Sequence, residues 1–99
     1  VVLVGKKEVI KIIRSNKYEL ELLYGVQRLG LFGSYVKDKQ SKKSDIDILV
    51  KFKHDIDLFD FIDLREYLEK QLNAKVDLVM ESALKPNLGK RILAEVEYV

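Results

Sequence analysis

Apolar residues recur along this chain in two rhythms, and the switch between them marks out the elements. Val9, Ile10, Ile12 and Ile13 group as on one side of a helix over Lys6 to Ser15. Asn16 caps or interrupts that run. Tyr18, Leu20, Leu22 and Leu23 continue the helical grouping over Lys17 to Tyr24, and Gly25 ends it. Val26 to Phe32 reads as a first strand that delivers Gly33-Ser34 at its C-terminal end. Tyr35 to Asp38 is expected to begin a short helix, and Lys39 to Lys43 to form a loop. A second strand covers Asp45 to Phe52, and His54 to Asp57 is a polar connection. Leu58 to Leu72 has the clearest helical pattern, with Phe59, Ile62, Leu64, Tyr67, Leu68 and Leu72 approximating one broad apolar face. Asn73 stops it. Lys75 to Met80 forms a third strand, Ser82 to Asn87 a turn centred on Pro86, and Leu88 to Val96 a closing helix. Helices alternating with strands predict an α/β domain, one unit over residues 1–99, with a small sheet of three strands or slightly more backed by helices. The helices at Leu58 to Leu72 and Leu88 to Val96 cannot all face so small a sheet. An apolar surface left for a partner or a second copy is therefore expected.

Composition narrows the classes. The chain is 47% hydrophobic and 34% charged over 99 residues, which suits one folded domain and leaves little surface for a second module. Its net charge is only +2, with basic residues scattered, against a dedicated nucleic-acid binder. The exception is Lys37, Lys39, Lys42 and Lys43, which reads equally as a solvated loop or as a positive rim for a triphosphate. There is no cysteine and one histidine, which excludes a thiol nucleophile and the usual zinc sites. No stretch reaches the roughly 18 apolar residues of a membrane span, so a cytoplasmic protein is expected. No Gly-Lys-Ser/Thr of the Walker type is present.

The candidate chemistry lies in the middle of the chain. Asp45 and Asp47 stand two apart in a strand, so they share a face, with Cα atoms roughly 6.5–7 Å apart. Carboxylates that close repel unless a cation sits between them, and their oxygens suit a hard divalent ion such as Mg²⁺. A lone Asp-x-Asp more often marks a solvated strand edge. Here the strand is apolar at Ile46, Ile48, Leu49 and Val50, and a third acid, Asp77, appears in a similar setting within Val76-Asp77-Leu78-Val79. Two acids entering a buried strand without a partner would cost stability. Ahead of them, Gly33-Ser34 offers a turn whose backbone N–H groups and hydroxyl could meet a phosphate. Other features are weaker. His54 beside Asp55 reads as a loop residue, Tyr35 either stacks a base or packs on the sheet, and Arg91 reads as an exposed helical residue.

Gly33-Ser34, ten intervening residues, Asp45-Ile46-Asp47 and then Asp77 one strand later resemble the DNA polymerase beta-like nucleotidyltransferase superfamily, and most closely its minimal nucleotidyltransferases. The likeness runs from about Lys6 to the C-terminus. It includes Leu31-Phe32, Ser44, Lys75 to Val79 and the closing Arg91 to Val96. One departure is Val36-Lys37-Asp38, where many relatives read Ala-Arg-Gly; lysine for arginine keeps the charge and gives up a bidentate phosphate fork. The resemblance implies a polymerase beta palm-like fold with a small mixed sheet. It implies two Mg²⁺ ions held by Asp45, Asp47 and Asp77, which are also the catalytic residues, with Asp77 beside the acceptor hydroxyl. ATP would be the substrate, its phosphates held around Gly33, Ser34 and Lys37. Minimal members are often encoded beside a helical HEPN toxin and act as its antitoxin, so the resemblance implies AMP transfer onto a tyrosine hydroxyl of such a partner. Two alternatives stand beside it: a non-catalytic module that blocks the toxin by occupancy, and transfer to a small molecule or RNA end.

Overall fold

The computed structural model describes residues 5–33 and 45–99. Two helices, α1 (Lys6–Ser15) and α2 (Lys17–Tyr24), lead into strand β1 (Val26–Phe32). Strand β2 (Ile46–Phe52), helix α3 (Leu58–Leu72), strand β3 (Val76–Met80), a 3₁₀ turn (Glu81–Ala83), helix α4 (Pro86–Glu95) and strand β4 (Glu97–Tyr98) follow. The sheet runs β3-β2-β1-β4. β1 is antiparallel to both β2 and β4, and β2 is parallel to β3, so the sheet is mixed. The short helix expected at Tyr35 to Asp38 and the loop at Lys39 to Lys43 lie outside the described residues.

The sheet is covered on both faces, which explains the break in alternation at Ile48-Leu49-Val50. On one face Ile46, Ile48 and Val50 pack with Leu29, Leu31, Val76 and Leu78 under α1, α2 and α3. Leu49 points the other way and joins Phe32, with Ile92 of α4 closing a smaller cluster and Val79, Leu84 and Val96 packed against it. Alternation along a strand then puts Asp45, Asp47 and Asp77 on the α4 side, away from the main core.

The helices follow from their sequence punctuation. Asn16 is the hinge between α1 and α2. Its amide Nδ2 donates to the Ile12 carbonyl at 2.8 Å, and its Oδ1 accepts from the Tyr67 hydroxyl at 2.8 Å. One polar residue therefore both ends a helix and ties two helices to α3. Asp57 caps α3 by accepting from the Asp60 amide, and Leu64, Leu68 and Leu72, four apart, form its buried stripe.

Three expectations are corrected. Phe59 does not lie on the core face of α3: it is 78% exposed, and Phe61 packs against the core instead. At about 100° per residue it falls roughly half a turn from the Leu64–Leu68–Leu72 line, whereas Phe61 falls close to it. The closing helix begins at Pro86, not Leu88, because proline at the first helical position gives up an N–H that would have had no partner there. It ends at Glu95, and the chain then returns as β4, pairing Glu97 with Leu31 and Tyr98 with Gly30. Gly30 permits that return: a Cβ there would sit 2.5 Å from Val96 Cγ2. Arg28 fastens the same region, lying over the Tyr98 ring at 4.4 Å while forming a bidentate ion pair with Glu81.

Candidate active site

The register assembles the acids. In the parallel pair, Asp47 is the direct partner of Asp77; in the antiparallel pair, Asp47 is the partner of Phe32, the residue before Gly33. A residue on β3 and the turn after β1 are thereby brought to either side of one side chain on β2. Asp45 precedes β2 by one residue and is exposed, Asp47 is half-buried, and Asp77 is exposed on the edge strand.

Gly33 stands at φ +75°, in the left-handed region, and a Cβ built there would lie 2.1 Å from Asp47 Oδ2. Only glycine lets the turn run this close to the carboxylate. The Gly33 amide donates to Glu95 Oε1 at 3.1 Å. Glu95 follows Ile92 by three residues, so it falls on the side of α4 that packs against the sheet.

Crowding of like charges is written into Asp47. Its carboxyl is pushed up from the usual 3.8 to about 6, first by burial, then by the charges of Asp77 and Asp45, by a hydrogen bond with Asp77, and by the charge of Glu95. The half-buried member of the cluster thus holds a proton more tightly than an ordinary aspartate, and a cation would relieve the same repulsion. The donor set is all carboxylate oxygen, which suits a hard divalent ion. Among the described residues, no three acidic or imidazole side chains already converge as a ready-made cage. The residues fit such an ion by donor type and charge, with Asp47 and Asp77 held on each other.

Of the residues singled out from the sequence, Gly33, Asp45, Asp47 and Asp77 gather at one end of the sheet. Ser34, Lys37, Tyr35 and the rest of the lysine cluster lie outside the described residues. His54 is exposed, its Nδ1 at 3.0 Å from the Asp55 carbonyl, at the opposite end of β2 from the acids. Arg91 is exposed on α4. Glu95 was not singled out. Its only sequence signal was a place within the closing Arg91 to Val96 run, and its approach to Gly33 depends on how α4 crosses the sheet.

The family model for the nucleotidyltransferase domain matches residues 6–99. The protein adenylyltransferase MntA of Thermococcus cleftensis is 46% identical over 93 residues, which cover 94% of this chain and 94% of that protein. A solved structure assigned to the minimal nucleotidyltransferases matches with a TM-score of 0.79 at 30% identity, covering 94% of each chain. Another, an MNT antitoxin in complex with a tri-AMPylated HEPN toxin from Shewanella oneidensis, matches with a TM-score of 0.61 at 26% identity, over 94% of this chain and 66% of the other.

Proposed function

Because the chain belongs to the nucleotidyltransferase domain family, we propose that it is a protein adenylyltransferase antitoxin, moving AMP from ATP onto a tyrosine hydroxyl of a HEPN-type toxin. The observation that carries this reading is the register pairing of Asp47 with Asp77 beside Gly33, whose missing side chain leaves room at the Asp47 carboxylate. The likeness to an adenylyltransferase along nearly its whole length, and to an antitoxin held with an AMPylated toxin, supports the choice of nucleotide and partner.

Asp45, Asp47 and Asp77 would hold Mg²⁺, two ions by family likeness. When bound, magnesium neutralises the triphosphate and makes the acceptor hydroxyl easier to deprotonate. The turn at Gly33 and Ser34, with Lys37, would grip the β- and γ-phosphates and leave the α-phosphorus open. The tyrosine oxygen attacks that phosphorus in line, its bond to the bridging oxygen breaks, and pyrophosphate leaves. Asp77, exposed on the edge strand, would orient the acceptor and take its proton.

The test is intact-mass spectrometry of the partner after incubation with ATP and Mg²⁺. The partner should gain one AMP mass or a multiple, and Asp77→Ala should abolish the gain. If Asp77→Ala still neutralises the toxin with no mass added, the protein acts by occupancy and the enzymatic reading fails.

A further inference from the structure

We propose that Glu95 is a positioning residue for the nucleotide: its carboxylate fixes the Gly33 amide and, through it, the left-handed backbone that Gly33 sets beside Asp47. This role rests on the nucleotidyl-transfer reading above and extends the site to the last residue of α4.

The geometry gives the reasons. β1 ends at Phe32, so the Gly33 amide has left the strand ladder, and a half-buried N–H must find another acceptor. It finds Glu95 Oε1 at 3.1 Å. A carboxylate acceptor makes a stronger bond than a carbonyl and directs the amide more firmly. Gly33 is also the point where the backbone turns left-handed beside Asp47, so the direction of its N–H and its approach to that carboxylate are set together.

Glu95 does not reach this place by chance of a long side chain. Ile92, one turn earlier, is buried between Phe32 and Leu49, which anchors this part of α4 over the end of β1. Two local electrostatic contributions oppose the placement. Glu95 adds negative charge near Asp47 and sits in the last turn of a helix, where the dipole disfavours an anion. A solvated surface position would carry neither penalty. The bond to Gly33 is a favourable contribution that a side chain without an oxygen acceptor at this reach would lose.

The experiment compares the full chain with Glu95→Ala and Glu95→Gln by two readouts. The first is hydrogen exchange of the Gly33 amide in ¹⁵N-labelled protein; the second is the steady-state kinetics of AMP transfer to the partner, with ATP varied in Mg²⁺. In Glu95→Ala, Gly33 exchange should accelerate and KM for ATP should rise about tenfold, equivalent to about 1.4 kcal/mol, while kcat stays within about threefold. Glu95→Gln keeps an oxygen acceptor and should bring both readouts back to within about threefold of the parent. A Glu95→Ala protein with unchanged Gly33 exchange and unchanged KM overturns the role, as does a Glu95→Gln protein as impaired as Glu95→Ala. If the parent chain neither binds ATP nor transfers AMP, the functional reading falls and this role falls with it. An active parent beside an unaffected Glu95→Ala overturns the role of Glu95 alone.

Discussion

Asp47 is where the chemistry of the residue and the stability of the fold oppose each other. Its carboxyl titrates at about 6 in the folded protein instead of 3.8, so between those values the folded state binds a proton that the unfolded chain has released. Stability from this group is therefore full below about pH 4, is lost as pH rises through about 6, and is absent above it. Denaturant midpoints of the metal-free protein should fall from about pH 5 to about pH 7. Asp47→Asn should flatten that slope and unfold no more easily than the parent at neutral pH. A parent that becomes steadier over the same interval would contradict the crowding. Gly33 poses a different problem at the same scale. Gly33→Ala forces a side chain into the left-handed region and against the Asp47 carboxylate, so a loss of at least about 1–2 kcal/mol by thermal melting is expected. AMP transfer should be lost with it. Asp45, Asp47 and Asp77 were legible because period-two spacing and a repeated strand setting are local. Glu95 was not, because nothing in Ala94-Glu95-Val96 says that α4 crosses β1 rather than turning into solvent.

Among the elements, the hinge between α1 and α2 bears on stability most directly. Asn16→Ala removes the bond to the Ile12 carbonyl and leaves the Tyr67 hydroxyl without its acceptor, in a half-buried place. A loss of about 1–3 kcal/mol in urea unfolding is expected, and Tyr67→Phe alone should cost less, about 0.5–1.5 kcal/mol. The double variant should fall short of the sum, since the two share one bond. Equal additive losses would show that Asn16 and Tyr67 act separately. The sequence announced most elements to within a residue or two, because Gly25, Asn73 and the apolar runs are strong local marks. β4 was missed for a physical reason: two residues, Glu97 and Tyr98, carry no periodicity, and their close pairing depends on the missing side chain of the distant Gly30. Pro86 misled in the opposite direction, since the same fixed φ that suits a turn also suits the first residue of a helix.

On the scale of the whole molecule, the apolar content exceeds what the two clusters absorb. Tyr18, Leu22 and Leu23 on α2, Leu58 and Phe59 at the start of α3, and Leu88 and Leu93 on α4 all remain exposed. The excess was predictable from the apolar content and the helices set against so small a sheet; its location was not, and Phe59 had been assigned to the core. Since Phe59 is mostly exposed, Phe59→Ser should change unfolding free energy by no more than about 0.5 kcal/mol. Co-purification with the partner, or self-association in sedimentation, should weaken if this part of the surface is used. A variant that unfolds readily would return Phe59 to the core, against its observed exposure.

The parallel alignment of β2 with β3 has a consequence for how this molecule comes into being. Asp47 and Asp77 meet only in one alignment, and a slip of a single position would turn Asp77 toward the main core and an apolar neighbour toward the site. The two strands are joined through α3, so their pairing is non-local, and parallel pairing of this kind is slow. A chain trapped one position out could keep its helices and much of its compactness, yet have no working centre. The specific activity of refolded protein, set against its helical signal, would then count the fraction of molecules in which the strands aligned correctly, so the enzyme carries its own assay for the fidelity of its folding.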